Sequence, residues 1–104
     1  MICLVESFQL SEDARADPAF GEWLKRFNTR VMDKNPVIKS IYVYGAYTGA
    51  FEVEVWLGME SFSALHRSAE AERDMVQDPE VKEEWKMFAA YLKPLGRRIM
   101  VGVT

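Results

Sequence analysis

VIKSIYVYGAYTGAFEVEVWL, residues 37–57, reads as one β-hairpin. Tyr, Val, Ile, Phe and Trp fill both arms, as suits pleated, half-buried strands. Tyr47-Thr48-Gly49 lies between the arms as a three-residue loop, with Gly in the left-handed position that such loops require. Taken literally, that loop sets Ala46 opposite Ala50, Tyr44 opposite Glu52 and Val43 opposite Val53. Tyr42 then faces Glu54, Ile41 faces Val55 and Ser40 faces Trp56. Side chains alternate along a strand, so two faces separate. Ile41, Val43, Phe51, Val53 and Val55 form an apolar face that needs a layer of helices. Ser40, Tyr42, Tyr44, Glu52, Glu54 and Trp56 form the other, aromatic and acidic together.

Working outward from the hairpin, ICLVESF (2–8) is a first strand, apolar on both faces for most of its length and therefore central. Ser11 to Ala16 reads as an irregular polar turn. Asp17-Pro18 starts a helix, with a capping side chain followed by Pro at the first helical position. Phe20, Trp23, Leu24, Phe27 and Val31 make its apolar stripe, and Asn35-Pro36 stops it. After Gly58 a second helix carries Phe62, Leu65, Ala69 and Val76 inward. Asp78-Pro79 breaks and restarts it, and Val81, Trp85, Phe88 and Leu92 continue the stripe. Pro94-Leu95-Gly96 ends the helical region, and RRIMVGV (97–103) is the last strand. No linker divides residues 1–104, so one domain is expected. The order strand, helix, strand, strand, helix, strand is the ferredoxin-like βαββαβ arrangement. It predicts an α+β fold with a four-stranded antiparallel sheet and both helices on one face.

Composition narrows the function classes. At 104 residues and a net charge of −3, the chain has the size of one domain and lacks the basic surface that nucleic acid or an anionic membrane selects. The single cysteine, Cys3, excludes an internal disulfide and fits a reducing compartment; it reads as a core residue. No apolar run approaches a membrane span and no signal peptide opens the chain, so a cytoplasmic location is expected. No phosphate-cradling glycine loop or cysteine-based metal spacing occurs. The sequence therefore calls for no metal and no cofactor.

The face left open by the helices is expected to hold Ile2, Leu4, Glu6, Tyr42, Tyr44, Glu52, Glu54, Trp56, Arg98 and Met100. So much aromatic and aliphatic surface marks an interface or a ligand groove, whereas three Glu would not be buried without partners. One arrangement meets both conditions: a homodimer in which a second copy of the sheet covers this face and leaves a partly polar cavity between.

That architecture resembles the dimeric α+β barrel superfamily. Trp56 closing a strand, followed by GMESFSALHRS (58–68) with His66 on the next helix, is similar to a segment of antibiotic-biosynthesis-type monooxygenases. AERDMVQDPEVKEEWKMF (71–88), a helix broken at Asp-Pro and resumed with Trp, is similar to NIPSNAP-type members. The resemblance implies a small-molecule ligand, with cofactor-free monooxygenases, isomerases and haem enzymes among its members. Fold does not choose among them.

The candidate catalytic residues are Glu52, Glu54 and His66. A carboxylate in a dry cavity is a general base whose pKa burial raises, and His66 is the sole histidine, the side-chain type most often used for acid–base work. One histidine alone cannot anchor an ordinary zinc site or a triad. Glu6, Tyr42, Tyr44, Trp56, Arg98 and Met100 are the candidate substrate contacts, with Arg98 or a Tyr steadying an anion. The blander readings are a surface histidine and carboxylates that only fill a dimer interface. The functional expectation is thus a small-molecule-binding dimer, a cofactor-free monooxygenase or isomerase, against a non-catalytic binding or structural homodimer.

Overall fold

The computed structural model describes residues 1–45 and 52–102. Eight elements follow in order: β1 (Ile2–Leu10), α1 (Glu12–Ala16), α2 (Phe20–Lys34), β2 (Ser40–Gly45), β3 (Val53–Met59), α3 (Phe62–Val76), α4 (Lys82–Tyr91) and β4 (Leu92–Val101). The sheet order is β2-β3-β1-β4, with every neighbouring pair antiparallel. This is the ferredoxin-like α+β fold expected from the element order.

The hairpin exists, but its register differs from the expected one by two residues. Tyr42 faces Trp56, Val43 faces Val55 and Tyr44 faces Glu54. A slip of two preserves which side each residue takes, because the side-chain period is two. Ala46, the Tyr47-Thr48-Gly49 turn, Ala50 and Phe51 lie outside the described residues, as does Val103.

A second correction concerns β1. Its pairing sets Leu4 opposite Leu57, Glu6 opposite Val55 and Phe8 opposite Val53. Ile2, Leu4 and Glu6 therefore share the helix-covered side with Val53 and Val55, and Cys3, Val5 and Ser7 take the open side. Alternation could not assign the faces of a central strand that is apolar on both sides. Only the ladder with β3 does so.

The helices keep most of their expected anchors. Trp23, Leu24, Phe27 and Val31 are buried on α2, which begins at Phe20 rather than Pro18. Asp17 instead caps the preceding turn, its Oδ1 accepting from the Ala19 N–H at 2.8 Å. Glu12–Ala16 is a short helix where an irregular turn was expected: the Ser11 hydroxyl accepts from the Ala14 N–H at 3.1 Å, a regular N-cap. On α3 the buried residues are Ala64, Ser68 and Met75, while Phe62 and Val76 are exposed. The helix is rotated relative to the expected stripe, because its inner face is made of small residues and Met rather than the largest apolar ones. Asp78 separates α3 from α4 as expected, its Oδ1 accepting from the Glu80 N–H at 2.9 Å. Val81 and Leu92 are almost fully buried at the ends of α4.

β4 starts at Leu92, so Pro94-Leu95-Gly96 lies inside the strand instead of ending the helix. Ser7 faces Gly96 and Phe8 faces Pro94, which makes Leu95 the extra residue of a bulge. Proline is tolerated there because β4 is an edge strand. No helix among the described residues is long and apolar enough to cross a membrane.

Candidate functional site

Between the sheet and helices α2, α3 and α4 lies a cavity of about 470 Å³, within the range of small-molecule sites. Its aromatic wall comes from β1, α2 and α4. Phe8 meets Phe88 edge-on with centroids 5.4 Å apart, Phe27 stacks on Phe88 at 5.0 Å, and Trp85 meets Phe27 edge-on at 5.1 Å. Leu4, Val55 and Leu57 from the sheet, with Leu65 and Met75 from α3, supply aliphatic surface. Polar groups are few and, apart from Asn28 on α2 and Arg98, fall in two places. Glu6, Glu72 and Arg97 come from β1, α3 and β4, whereas Asn35 and Ser68 come from the end of α2 and the middle of α3.

Glu6 is half-buried on the helix-covered side, and its carboxylate has no hydrogen bond or ion pair to any described side chain. Burial pushes its pKa above the ordinary carboxylate value; Arg97 opposes that shift and the like charge of Glu72 adds to it. Glu6 and Arg97 are direct partners in the β1–β4 ladder, so their backbones stand one strand spacing apart on the same side of the sheet. Chemically, the pair can remove a proton from carbon and steady the anion that results.

Two further polar atoms of cavity residues are buried without a hydrogen-bond partner among the described residues: Asn35 Oδ1 and Trp85 Nε1. Asn35 is 1 % exposed. Its Nδ2 donates to the Ser68 carbonyl at 3.3 Å and to Ser68 Oγ at 3.1 Å.

The open face of the sheet has a different chemistry. Glu54 is buried and accepts from Ser7 Oγ (3.3 Å), Trp56 Nε1 (2.8 Å) and Arg98 Nη1 (2.9 Å). The Arg98 guanidinium holds the Glu54 carboxyl below the usual carboxylate range against the opposing effect of burial, with Trp56 and Ser7 helping. The guanidinium carbon of Arg98 also stands 5.9 Å from the centre of the Trp56 ring. Trp56 and Arg98 flank Val5 from the two neighbouring strands, and Val5 is fully buried between them. Tyr44 meets Trp56 edge-on at 6.1 Å. Tyr42, Tyr44 and Met100 remain exposed.

The expected site residues are thus split. Of the nine, Glu6 and Arg98 border the cavity, and the Arg98 guanidinium turns away to Glu54. Tyr42, Tyr44, Glu54, Trp56 and Met100 belong to the opposite face. Glu52 is ion-paired with Arg15 of α1. The side chain of His66 is 78 % exposed and sits 3.0 Å from Glu70 one turn along α3, outside the cavity. Arg97, Glu72, Asn35 and Trp85 were not singled out from the sequence as site residues. The alternation in RRIMV carries the signal for Arg97, once β1 is assigned to its correct face. Asn35 read only as a helix stop, because nothing local distinguishes a stop residue from a cavity residue.

No protein-family model matches the chain, and no curated protein sequence does. Solved structures do match in fold. HapK from Hahella chejuensis superposes with a TM-score of 0.70 at 12% identity, over 99% of this chain and 93% of that one. A NIPSNAP domain protein from Burkholderia xenovorans gives 0.66 at 13% identity, over 100% and 96%. MhuD, solved with two manganese protoporphyrin IX molecules per active site, gives 0.61 at 14%, over 100% and 96%. At such identities the likeness is one of fold alone, the ferredoxin-like α+β fold, with no family distinguished.

Proposed function

We propose that this chain, with the fold of the dimeric α+β barrel proteins, binds a small organic molecule between its sheet and helices and uses Glu6 as a general base. One observation carries the reading: a half-buried carboxylate, without a side-chain partner among the described residues, in a mostly apolar cavity. A group held this way is destabilised when charged and gains by taking a proton. Glu6 removes a proton from a carbon next to a carbonyl, and Arg97 across the ladder stabilises the enolate oxygen. In an isomerisation the same proton returns at another carbon, so no further reactant is needed. In an oxygenation the carbanion bonds dioxygen, Glu6 returns the proton to give a hydroperoxide, and loss of water leaves a new carbonyl. His66 lies outside the cavity, so a porphyrin bound there would find no imidazole ligand in this chain.

The open face supports a homodimer. Tyr42, Tyr44 and Met100 expose apolar surface around the pair formed by buried Glu54 and exposed Arg98, and a second sheet of the same kind is complementary to that mixture. The rival reading is a non-catalytic binding or structural dimer. It is favoured by Glu54, whose hydrogen bonds are satisfied within one chain. A cytoplasmic setting accords with a chain whose lone Cys3 has no partner for an internal disulfide.

Deoxybenzoin, a two-ring ketone with an acidic benzylic C–H, tests the proposal. In heavy water the protein should accelerate deuterium uptake at that carbon, read by NMR, and Glu6→Gln should lower the rate at least a hundredfold with the fold intact. Equal rates for the variant and the wild type would eliminate Glu6 as the base and leave the non-catalytic reading.

A further inference from the structure

The floor of the cavity changes character along the strands. Antiparallel pairing lines up the side chains of β3, β1 and β4 in rows that cross the sheet, roughly 7 Å apart on one face. Glu6 shares its row with Val55 and Arg97. One row toward the end of β1, Phe8 lies between Val53 and Pro94. One row toward its start, Leu4 lies between Leu57 and Ile99. The polar row thus has a ring on one side and branched aliphatic side chains on the other.

The helices continue that division. Phe88 meets Phe8 edge-on at 5.4 Å and stacks on Phe27 at 5.0 Å, and its ring centre is 5.7 Å from that of Trp85. Phe88 and Trp85 are half-buried and border the cavity, so the Phe8 end is roofed with ring surface. α3 begins three residues after Met59, which pairs with Ile2 beyond Leu4. Leu65, in the first turn of that helix, therefore roofs the Leu4 end. Glu72 comes two turns later, where its charge reaches Glu6. Arg97 and Ile99 are exposed and border the cavity, which accordingly opens along the edge strand β4.

We infer that the ligand is an aryl alkyl ketone straddling Glu6, with its ring on the Phe8–Phe88 side and its alkyl arm among Leu4, Leu57, Ile99 and Leu65. The carbon that loses its proton stands between ring and carbonyl, and the carbonyl oxygen is turned toward Arg97 at the open edge. Aromatic pairs gain beyond the area they bury, whereas an alkyl chain gains by area alone. One row on each side of Glu6 leaves room for a single ring at one end and a short chain at the other. The inference rests on the cavity being a ligand site, and it deepens that reading by naming the substrate class.

Benzyl butyl ketone and benzyl methyl ketone share the ring and the acidic benzylic carbon, and differ by three methylenes in the alkyl arm. By calorimetry the protein should bind the butyl ketone about tenfold or more tightly than the methyl ketone, since each buried methylene contributes about fourfold. Leu65→Gln and Ile99→Asn should each cut that ratio about threefold or more and leave the methyl ketone within about twofold. Having two variants at the aliphatic end keeps the test standing if one of them folds poorly. Phe88→Leu should weaken both ketones by the same factor, about fivefold, and leave their ratio unchanged. Deuterium uptake at the benzylic carbon reads Glu6 separately, and Glu6→Gln should abolish it without altering the ratio. The expected ratio without catalysed exchange would sustain the ligand class and remove Glu6 from its catalytic role. Exchange with equal affinities for the two ketones overturns the inference alone, as does a ratio that falls in Phe88→Leu and survives both aliphatic-end variants. No binding of either ketone overturns both.

Discussion

Glu6 on β1 and Arg97 on β4 stand directly opposite each other across an antiparallel ladder, and both line the cavity between sheet and helices. Arg98, one residue on, points the other way and pairs with Glu54 on the open face at 2.9 Å. Arg97 thus faces one carboxylate across the ladder, while Arg98 bonds another on the opposite side of the sheet. The two carboxylates titrate in opposite directions from their common ordinary value of 4.5.

For Glu6 the folded-state pKa is raised, so ionisation opposes folding. Its contribution to stability should be greatest below 4.5 and decline as pH rises from there through the folded value. Catalysed exchange should climb over the same window, since the base must be ionised. Urea unfolding of Glu6→Gln should lack that decline and show a variant at least as stable as the wild type at neutral pH. A parallel pH dependence in both proteins would mean that the Glu6 carboxylate is not desolvated.

Glu54 has the reverse sign. Its folded pKa is lowered, chiefly by Arg98, so its contribution is present above 4.5 and lost as pH falls through the folded value. Glu54→Ala leaves Arg98 and the Trp56 N–H without their acceptor, and should cost about 2 kcal/mol at neutral pH. The deficit should shrink in acid, where the wild type has lost the ion pair as well. Denaturant midpoints at neutral pH and at pH about 3 check both statements.

The open face should hold the dimer together. Light scattering should report about twice the 12.0 kDa chain mass. Tyr44→Arg sets a second cation near the Arg98–Trp56 pair and should weaken association at least tenfold. The protomer fold should persist in the variant, because Tyr44 is 54 % exposed in a single chain. A monomeric wild type at micromolar concentration would contradict the dimer.

His66 should be dispensable to both fold and site. Its ring is outside the cavity, and its one ion-pair partner among the described residues is the exposed Glu70 on the same helix. His66→Ala should change stability by less than about 0.5 kcal/mol and leave probe affinity and exchange unaltered. A large loss of exchange in this variant would relocate the chemistry to α3.

Element types and their order were legible in the amino-acid sequence, because each rests on short-range physics. The 3.6-residue stripe of Trp23, Leu24, Phe27 and Val31 announces α2, and the period-two alternation of SIYVY and VEVWL announces β2 and β3. Asp78-Pro79 marks the break between α3 and α4. From that order follow the antiparallel sheet and the helices packed on it, since apolar faces must be covered and connections are short. The same alternation separated Tyr42, Tyr44 and Trp56 from Ile41, Val53 and Val55, and a two-residue slip in pairing left that division untouched.

Tertiary structure alone decided which side of the sheet holds the cavity. β1 is apolar on both faces, so its own residues do not say whether Glu6 or Ser7 looks toward the helices; pairing with β3 does. That one choice moved Glu6 away from Glu54 and Arg98 and placed it with Arg97, Glu72, Asn35 and Trp85. These residues come from five elements that only packing brings together. The carboxylates of Glu6 and Glu54 are alike in sequence. One becomes a desolvated group without a side-chain partner among the described residues and the other an anion bonded by three donors, because charge and burial depend on three-dimensional neighbours and not on local pattern.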